Sequence, residues 1–243
     1  MASFMETPGF DHVETWVFDL DNTLYPASCR LFDQIDVKMG EFISSLLSVD
    51  RVEAKRIQKQ FFYEHGTTLR GLMTVHGIDP SAFLDFVHDI DHSPVCENLP
   101  LARALERLPG RKLVFTNGTV AHAERVMERL GVRSHFTGIF DIIHSDYIPK
   151  PAQGPYEKFV REHGVAPQRA AMFEDIARNL EIPARLGMTT VLVEDAANVD
   201  GNLINARTGD RGAAYVHHMT SDLAGFLAGV LERLEPQASA RTA

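Results

Sequence analysis

The sequence predicts an α/β protein in which a parallel sheet is flanked by helices and a wholly helical segment is inserted after the first strand. Three observations carry this. From residue 113 onward, short apolar runs alternate with helical patterns, the rhythm of the strand–helix–strand units that build a parallel sheet covered on both faces. The helical patterns close on Gly131, Gly164 and Gly187, where a residue in the left-handed region ends a helix before the next strand. Between residues 26 and 96, by contrast, no strand pattern interrupts a helical periodicity.

In chain order, Trp16-Val-Phe-Asp-Leu20 reads as the first buried strand. Leu31, Ile35, Met39, Phe42, Ile43, Leu46 and Leu47 then recur near a 3.6-residue period, one face of a helix. A second helix starts at Asp50, with Glu53 three residues later in a capping-box-like pair. A third follows Asp79-Pro80, a cap residue and a first-turn proline, with Phe83, Phe86, Val87 and Ile90 on one face. The remaining strands are expected at Leu113–Phe115, Ile139–Ile143, Ala170–Phe173, Thr189–Val193 and Ala213–Val216, with helices over Val120–Leu130, Pro155–His163 and Ile176–Leu186. The domain boundaries expected are therefore 1–24 with 97–243 for the sheet domain and 25–96 for the helical insertion. Residues 1–11 and 235–243 lack periodicity and read as mobile ends.

Composition narrows the function classes. With 44% hydrophobic and 23% charged residues, the chain has the make-up of a soluble globular protein. A net charge of −9, with no Lys/Arg-rich run, argues against a nucleic-acid polymer or an anionic membrane as partner. No apolar stretch is long enough to span a bilayer, and the first basic residue is Arg30, so no charged start for a signal peptide is present. Cys29 and Cys96 cannot make a disulfide framework, and a reduced, cytoplasmic protein is the expectation.

In open parallel sheets, ligands sit at the carboxyl ends of the strands. The polar residues where the predicted strands stop are Asp19, Asp21, Asn22 and Thr23; then Thr116, Asn117, Gly118 and Thr119; then Lys150 between two prolines; then Glu174 and Asp175. Each group alone also suits a turn, a helix cap or a solvated loop. Delivered in order to successive strand ends, they compose a site for phosphoryl transfer. A carboxylate, Asp19, can attack phosphorus and split a hard hydrolysis into two easier steps. Its charge would repel a phosphate dianion unless a hard cation bridges them, and Mg²⁺ on Asp19 and Asp175 answers that need. Asp21 is spaced to protonate the leaving oxygen and then deprotonate water. Thr116 and the amides of Asn117 and Gly118 can donate to phosphoryl oxygens, and Lys150 supplies a fixed positive charge.

Asp19-Leu-Asp-Asn-Thr23, Thr116-Asn-Gly118, Lys150 and Glu174-Asp175 resemble the four motifs of the haloacid dehalogenase superfamily, in that order, across residues 14–194. The resemblance implies a Rossmann-like core with Asp19 as nucleophile, Asp21 as acid/base, and Thr116 and Lys150 on the phosphate. It places magnesium on Asp19, the Asp21 carbonyl and Asp175, with Glu174 outside the first coordination sphere, and makes the insertion a helical cap. Asn22-Thr-Leu-Tyr-Pro26, Leu31-Phe-Asp-Gln-Ile35 and Gly66-Thr-Thr-Leu-Arg-Gly-Leu72 further resemble the pyrimidine 5′-nucleotidase branch, implying hydrolysis of pyrimidine nucleoside 5′-monophosphates. Arg70, with His65 and Thr67, would then reach the substrate from a glycine-bounded cap loop. The one departure is Ala152-Gln-Gly154, where the superfamily more often carries an acidic residue.

Other readings are a phosphatase of another small phosphomonoester, a phosphomutase, a dehalogenase, or a phospho-acceptor signalling module. A dehalogenase needs neither Asp21 nor the acidic pair. A signalling receiver is about half this length and carries its acidic pair ahead of the acceptor. His88 and His92, four apart on an expected helix, suggest a zinc pair but lack a third ligand by spacing. His217-His218 read as structural, and Cys29 and Cys96 as spectator thiols flanking the cap.

Overall fold

A computed structural model of the chain describes residues 7–194 and 211–240. Its strands are β1 (Thr15–Phe18), β2 (Arg111–Phe115), β3 (Gly138–Phe140), β4 (Ala170–Glu174), β5 (Thr189–Val193) and β6 (His218–Thr220). They form one parallel sheet in the order β3-β2-β1-β4-β5-β6. That is the doubly wound, Rossmann-like order: the chain builds outward from β1 on one side, then returns to build outward on the other.

β1 is central because every residue of it can be buried. Its side chains alternate between faces. Trp16 and Phe18 join a cluster with Leu101, Leu105, Val126 and Leu227, under α5 (Leu99–Arg107), α6 (Val120–Leu130) and α9 (Leu223–Ala240). Val17 joins Phe115, Phe159 and Leu180 on the other face, under α7 (Gln153–Glu162) and α8 (Glu181–Leu186). Phe18 stacks on Phe173 of β4 at 4.6 Å, and truncating such a fully buried ring costs about 3–5 kcal/mol.

Between β1 and α5 run α1 (Leu31–Leu47), α2 (Arg51–His65), α3 (Thr68–His76) and α4 (Pro80–Val87). They pack around Ile35, Ile43, Phe61, Leu72, Phe83 and Val87, a cluster of their own. Asp50 and Asp79 cap α2 and α4 as expected, accepting from the amides of Glu53 and Ser81. The stretch from Gly66 to Leu72 is not a loop, as the glycines suggested. Thr67 caps α3 by accepting from Arg70 N, and only Gly66 remains in the turn, at φ +87°. Gly71 is a helical residue whose missing side chain lets α3 approach α2; a Cβ there would lie 2.3 Å from Phe61 Cβ.

The sheet domain departs from the sequence reading in four places. The third strand stops at Phe140 because the Asp141 carboxylate captures the amides of Ile143 and His144, folding the chain into a turn. The helix expected over Ile176–Leu186 is a 3-10 turn, Ala177–Leu180, followed by α8, which contains Pro183. Pro183 has no N–H for the Asn179 carbonyl four residues earlier, and the Tyr156 hydroxyl donates to that carbonyl instead, at 2.7 Å. The last strand lies at His218–Thr220, not at Ala213–Val216. Tyr215 and Val216 are apolar because they pack against the second core cluster, not because they pair in the sheet. Finally, residues 7–11 are held: Phe10 is buried and stacks on Trp16, while α9 continues to Ala240. Residues 1–6 and 241–243 lie outside the described residues. Among the described residues, no helix is long and apolar enough to cross a membrane.

Candidate active site

The strand order puts the carboxyl ends of β1, β2 and β4 side by side, and the motif residues follow from that. The Asp19 amide donates to Phe173 O, extending the β1–β4 ladder by one residue and fixing Asp19 above the sheet. The chain then reverses through Asn22, a non-glycine residue at φ +60°. That reversal brings Asp21 and Tyr25 together, the Tyr25 hydroxyl donating to Asp21 Oδ1 at 2.6 Å.

Lys150 is the hub. It is 3% exposed, and its Nζ donates to Asp19 Oδ1 at 2.7 Å, Glu174 Oε2 at 2.6 Å and Phe115 O at 2.9 Å. Three acceptors use all three ammonium protons. Its backbone amide donates to Asn117 Oδ1 at 2.9 Å, so Asn117 anchors the lysine loop with its side chain. The Gly118 amide is not free in this arrangement: it donates to Thr116 Oγ1 at 2.9 Å, closing the turn after β2. Of the donors expected from this loop, one is thus occupied within the loop itself.

Electrostatics sort the carboxyl groups. Burial, and then the charge of Glu174, push Asp19 up to about 7 despite Lys150. Burial, Glu174 and Asp19 push Asp175 well above the carboxylate range. Burial also acts on Asp21, but His122 and the Tyr25 hydroxyl outweigh it and hold Asp21 at about 2. Burial would neutralise Lys150, but Asp19 and Glu174 keep it charged. Ligand atoms of Asp19, Glu174 and Asp175 lie within 4.8 Å of one another. An all-oxygen, anionic donor set whose members raise each other's affinity for protons fits a hard divalent cation.

Arg70 sits in the first turn of α3, partly buried, and its guanidinium makes no hydrogen bond or ion pair among the described residues. The turn before it faces the lysine loop: a Cβ on Gly66 would lie 3.4 Å from Pro149 Cγ. Thr67 is occupied as the α3 cap, and His65 ends α2 with its ring edge-on to Phe61 at 5.8 Å. His217 Nδ1 accepts from Thr190 N and His218 Nε2 bonds Pro8 O, structural roles as expected. No disulfide joins Cys29 to Cys96, which is exposed.

One residue beside Asp21 escaped the sequence reading. His122 of α6 is fully buried, with Nε2 2.9 Å from Asp21 Oδ1. His88 and His92 are not a helical zinc pair, because α4 ends at Val87. Both turn toward His122: His88 stacks on its ring at 4.6 Å, and His92 Nε2 lies 3.3 Å from its Nδ1. The available signal was His122 itself, which falls on the buried face of α6 with Ala123, Val126, Met127 and Leu130, where an apolar residue belongs.

Residues 13–187 match the haloacid dehalogenase-like hydrolase family. The chain belongs to that family. Phosphate metabolism protein 8 of Saccharomyces cerevisiae is 28% identical over 214 residues, an alignment that takes in 79% of this chain and spans 65% of the length of the yeast protein. Among solved structures, a HAD phosphatase from Thermococcus onnurineus superposes with a TM-score of 0.59 at 16% identity, covering 90% of this chain and 98% of its own. The L-2-haloacid dehalogenase of Xanthobacter autotrophicus does so with a TM-score of 0.56 at 15% identity and the same coverage. The family match gives a haloacid dehalogenase-like hydrolase, and the solved structures show the fold alone; the chemistry rests on the side chains.

Proposed function

We propose that this haloacid dehalogenase-like hydrolase is a phosphomonoesterase working through an aspartyl phosphate on Asp19, with pyrimidine nucleoside 5′-monophosphates as its substrate class. The observation that carries the reading is the pairing of two differently tuned carboxylates on one turn. Asp19 is held by Lys150, while Asp21 has its own donors. Displacement of halide from carbon needs only the first.

In the first half-reaction an oxygen of Asp19 attacks phosphorus, an Asp19–phosphorus bond forms, and the bond to the leaving oxygen breaks. Lys150 holds Oδ1 at 2.7 Å, whereas the Thr23 hydroxyl reaches Oδ2 only at 3.5 Å, so Oδ2, the less tightly held oxygen, is the attacking atom. Asp21 delivers a proton to the leaving oxygen. Being ionised at rest, it takes that proton from the substrate bound as its monoanion. In the second half Asp21 removes a proton from water, whose oxygen bonds phosphorus as the Asp19–phosphorus bond breaks; Asp21 then hands that proton to the departing phosphate and returns to its ionised form. The Thr116 hydroxyl and the Asn117 amide hold the equatorial oxygens, the Gly118 amide being spent on Thr116 Oγ1. Asp19, Asp175 and the Asp21 carbonyl, with Glu174 behind them, would hold Mg²⁺, which when bound offsets the repulsion between Asp19 and the phosphate charge. Arg70 supplies an unpaired cation on the cap for the nucleotide. The pyrimidine preference is supported by the likeness of residues 22–26, 31–35 and 66–72 to that branch.

A released-phosphate assay with Mg²⁺ across nucleoside monophosphates, sugar phosphates and small phosphomonoesters tests this. Turnover should be fastest on pyrimidine 5′-nucleotides, Asp19→Asn should abolish it, and Arg70→Ala should harm nucleotides more than p-nitrophenyl phosphate. Substantial turnover by Asp19→Asn, or halide release from 2-haloacids in place of phosphate release, would sink the reading.

A further inference from the structure

We propose that His122 is the positioning residue for the acid/base carboxylate Asp21, fixing which of its oxygens meets the leaving group. The inference rests on the phosphomonoesterase reading above. Burying an imidazole is unfavourable unless its nitrogens are bonded, and both nitrogens of His122 have partners. Nε2 faces Asp21 Oδ1 at 2.9 Å, and Nδ1 faces His92 Nε2 at 3.3 Å. Asp21 Oδ1 already accepts from the Tyr25 hydroxyl, so it meets His122 as an acceptor and Nε2 carries a proton toward it. His88 stacks on the ring at 4.6 Å, with Thr119 Oγ1 3.4 Å from its Nδ1, and blocks the imidazole from tilting.

Asp21 Oδ1 therefore receives two donors, Tyr25 OH at 2.6 Å and His122 Nε2 at 2.9 Å. Oδ2 is left for the reaction, facing Gly118, where a Cβ would stand 3.6 Å away. With one donor a carboxylate can still rotate about χ2; with two at fixed angles it cannot. His88 and His92 lie on the segment returning from α4 to the sheet domain, so the seat of the cap reaches the acid/base residue through His122.

The test compares wild type, His122→Ala, His122→Gln and His92→Ala by kcat/KM on two substrates. One is a nucleoside 5′-monophosphate, whose alkoxide needs a proton. The other is p-nitrophenyl phosphate, whose leaving group does not. The ratio of the two values is independent of how much of each variant folds. His122→Ala should lower it by about 10- to 100-fold, a part of the roughly 10²–10⁴-fold that a placed general acid supplies. His122→Gln, whose amide N–H can stand in for Nε2–H, should restore most of it, and half-exposed His92→Ala should shift it in the same direction by less. Equal losses on both substrates, or a Gln variant no better than Ala, overturn the proposal. Imidazole ¹⁵N shifts of the wild-type protein give a readout free of activity: a protonated Nε2 on His122 is expected, and a protonated Nδ1 with bare Nε2 overturns the assignment. A wild-type protein releasing phosphate from neither substrate, yet showing the Nε2–H signature, overturns the phosphomonoesterase reading and the catalytic use of the contact with it.

Discussion

Lys150 donates to Asp19 at 2.7 Å, although 131 residues separate the two along the chain. The same ammonium also reaches Glu174 and the Phe115 carbonyl, so the lysine joins the ends of β1, β2 and β4 at one atom. Lys150→Met should lower kcat for phosphate release by at least about 10²-fold, the usual loss when one preorganised charge-stabilising donor is removed. Lys150→Arg should rescue little, because a planar guanidinium cannot meet three acceptors arranged around a tetrahedral nitrogen. Steady-state kinetics on the preferred phosphomonoester checks both.

The acidic trio should make stability respond to a divalent cation. Asp19, Glu174 and Asp175 repel one another across less than 4.8 Å, and a cation that binds only the folded state relieves this. At about 100 times its dissociation constant, Mg²⁺ should stabilise by about 2.7 kcal/mol. Thermal unfolding should rise with Mg²⁺ in the wild type and stay flat in Asp175→Asn. Chelation should stop turnover.

His88 should be a source of acid lability. Burial, and then the charge of His122, hold it down at about 3, with Asp21 opposing and His92 adding to the depression. An unfolded histidine titrates near 6.5. Between those values the unfolded chain carries a proton that the folded chain lacks, so folded stability from this group is present above pH about 6.5 and falls as pH drops toward 3. Each pH unit costs at most about 1.4 kcal/mol. Denaturant unfolding of wild type and His88→Gln at pH 7.5 and 5 should show the variant gaining on wild type by about 1–2 kcal/mol at the lower pH. Taking the difference cancels the opposite trend of Asp19, whose raised affinity for protons favours the folded state in acid.

Gly71 should be intolerant of the smallest side chain. A Cβ there would stand 2.3 Å from Phe61 Cβ, so α2 and α3 must separate to admit it. Gly71→Ala should destabilise by about 1–3 kcal/mol, the cost of overpacking, even though alanine is the better helix former. Urea unfolding measures it, and a stabilised variant would show that the two helices slide apart freely.

The core motifs were legible because each is local. A strand ends, its last polar side chains point into the crevice, and Asp19, Thr116, Lys150, Glu174 and Asp175 could be picked out one strand at a time. Alternation of strands and helices likewise announced the sheet, and the cap residues Asp50 and Asp79 marked helix starts through their immediate neighbours. Errors arose where a residue's role depends on something distant. Tyr215 and Val216 look like a strand because core packing and strand pairing select the same apolar side chains, and only the sheet register separates them. Gly66 and Gly71 look like loop punctuation, yet one ends a helix and the other allows two helices to touch.

The sequence alone determined which groups this chain gathers: two carboxylates on one turn, a threonine, a lysine and an acidic pair at successive strand ends. The tertiary structure decided how those groups are tuned. Asp21 and His122 stand 101 residues apart, and nothing local to either residue points to the other. The order β2-β1-β4 sets Lys150 between two carboxylates, and the packing of α6 beneath the returning cap segment sets an imidazole against Asp21. Burial then turns those contacts into opposite proton affinities for two aspartates two residues apart, because charges removed from water feel their nearest neighbours most strongly.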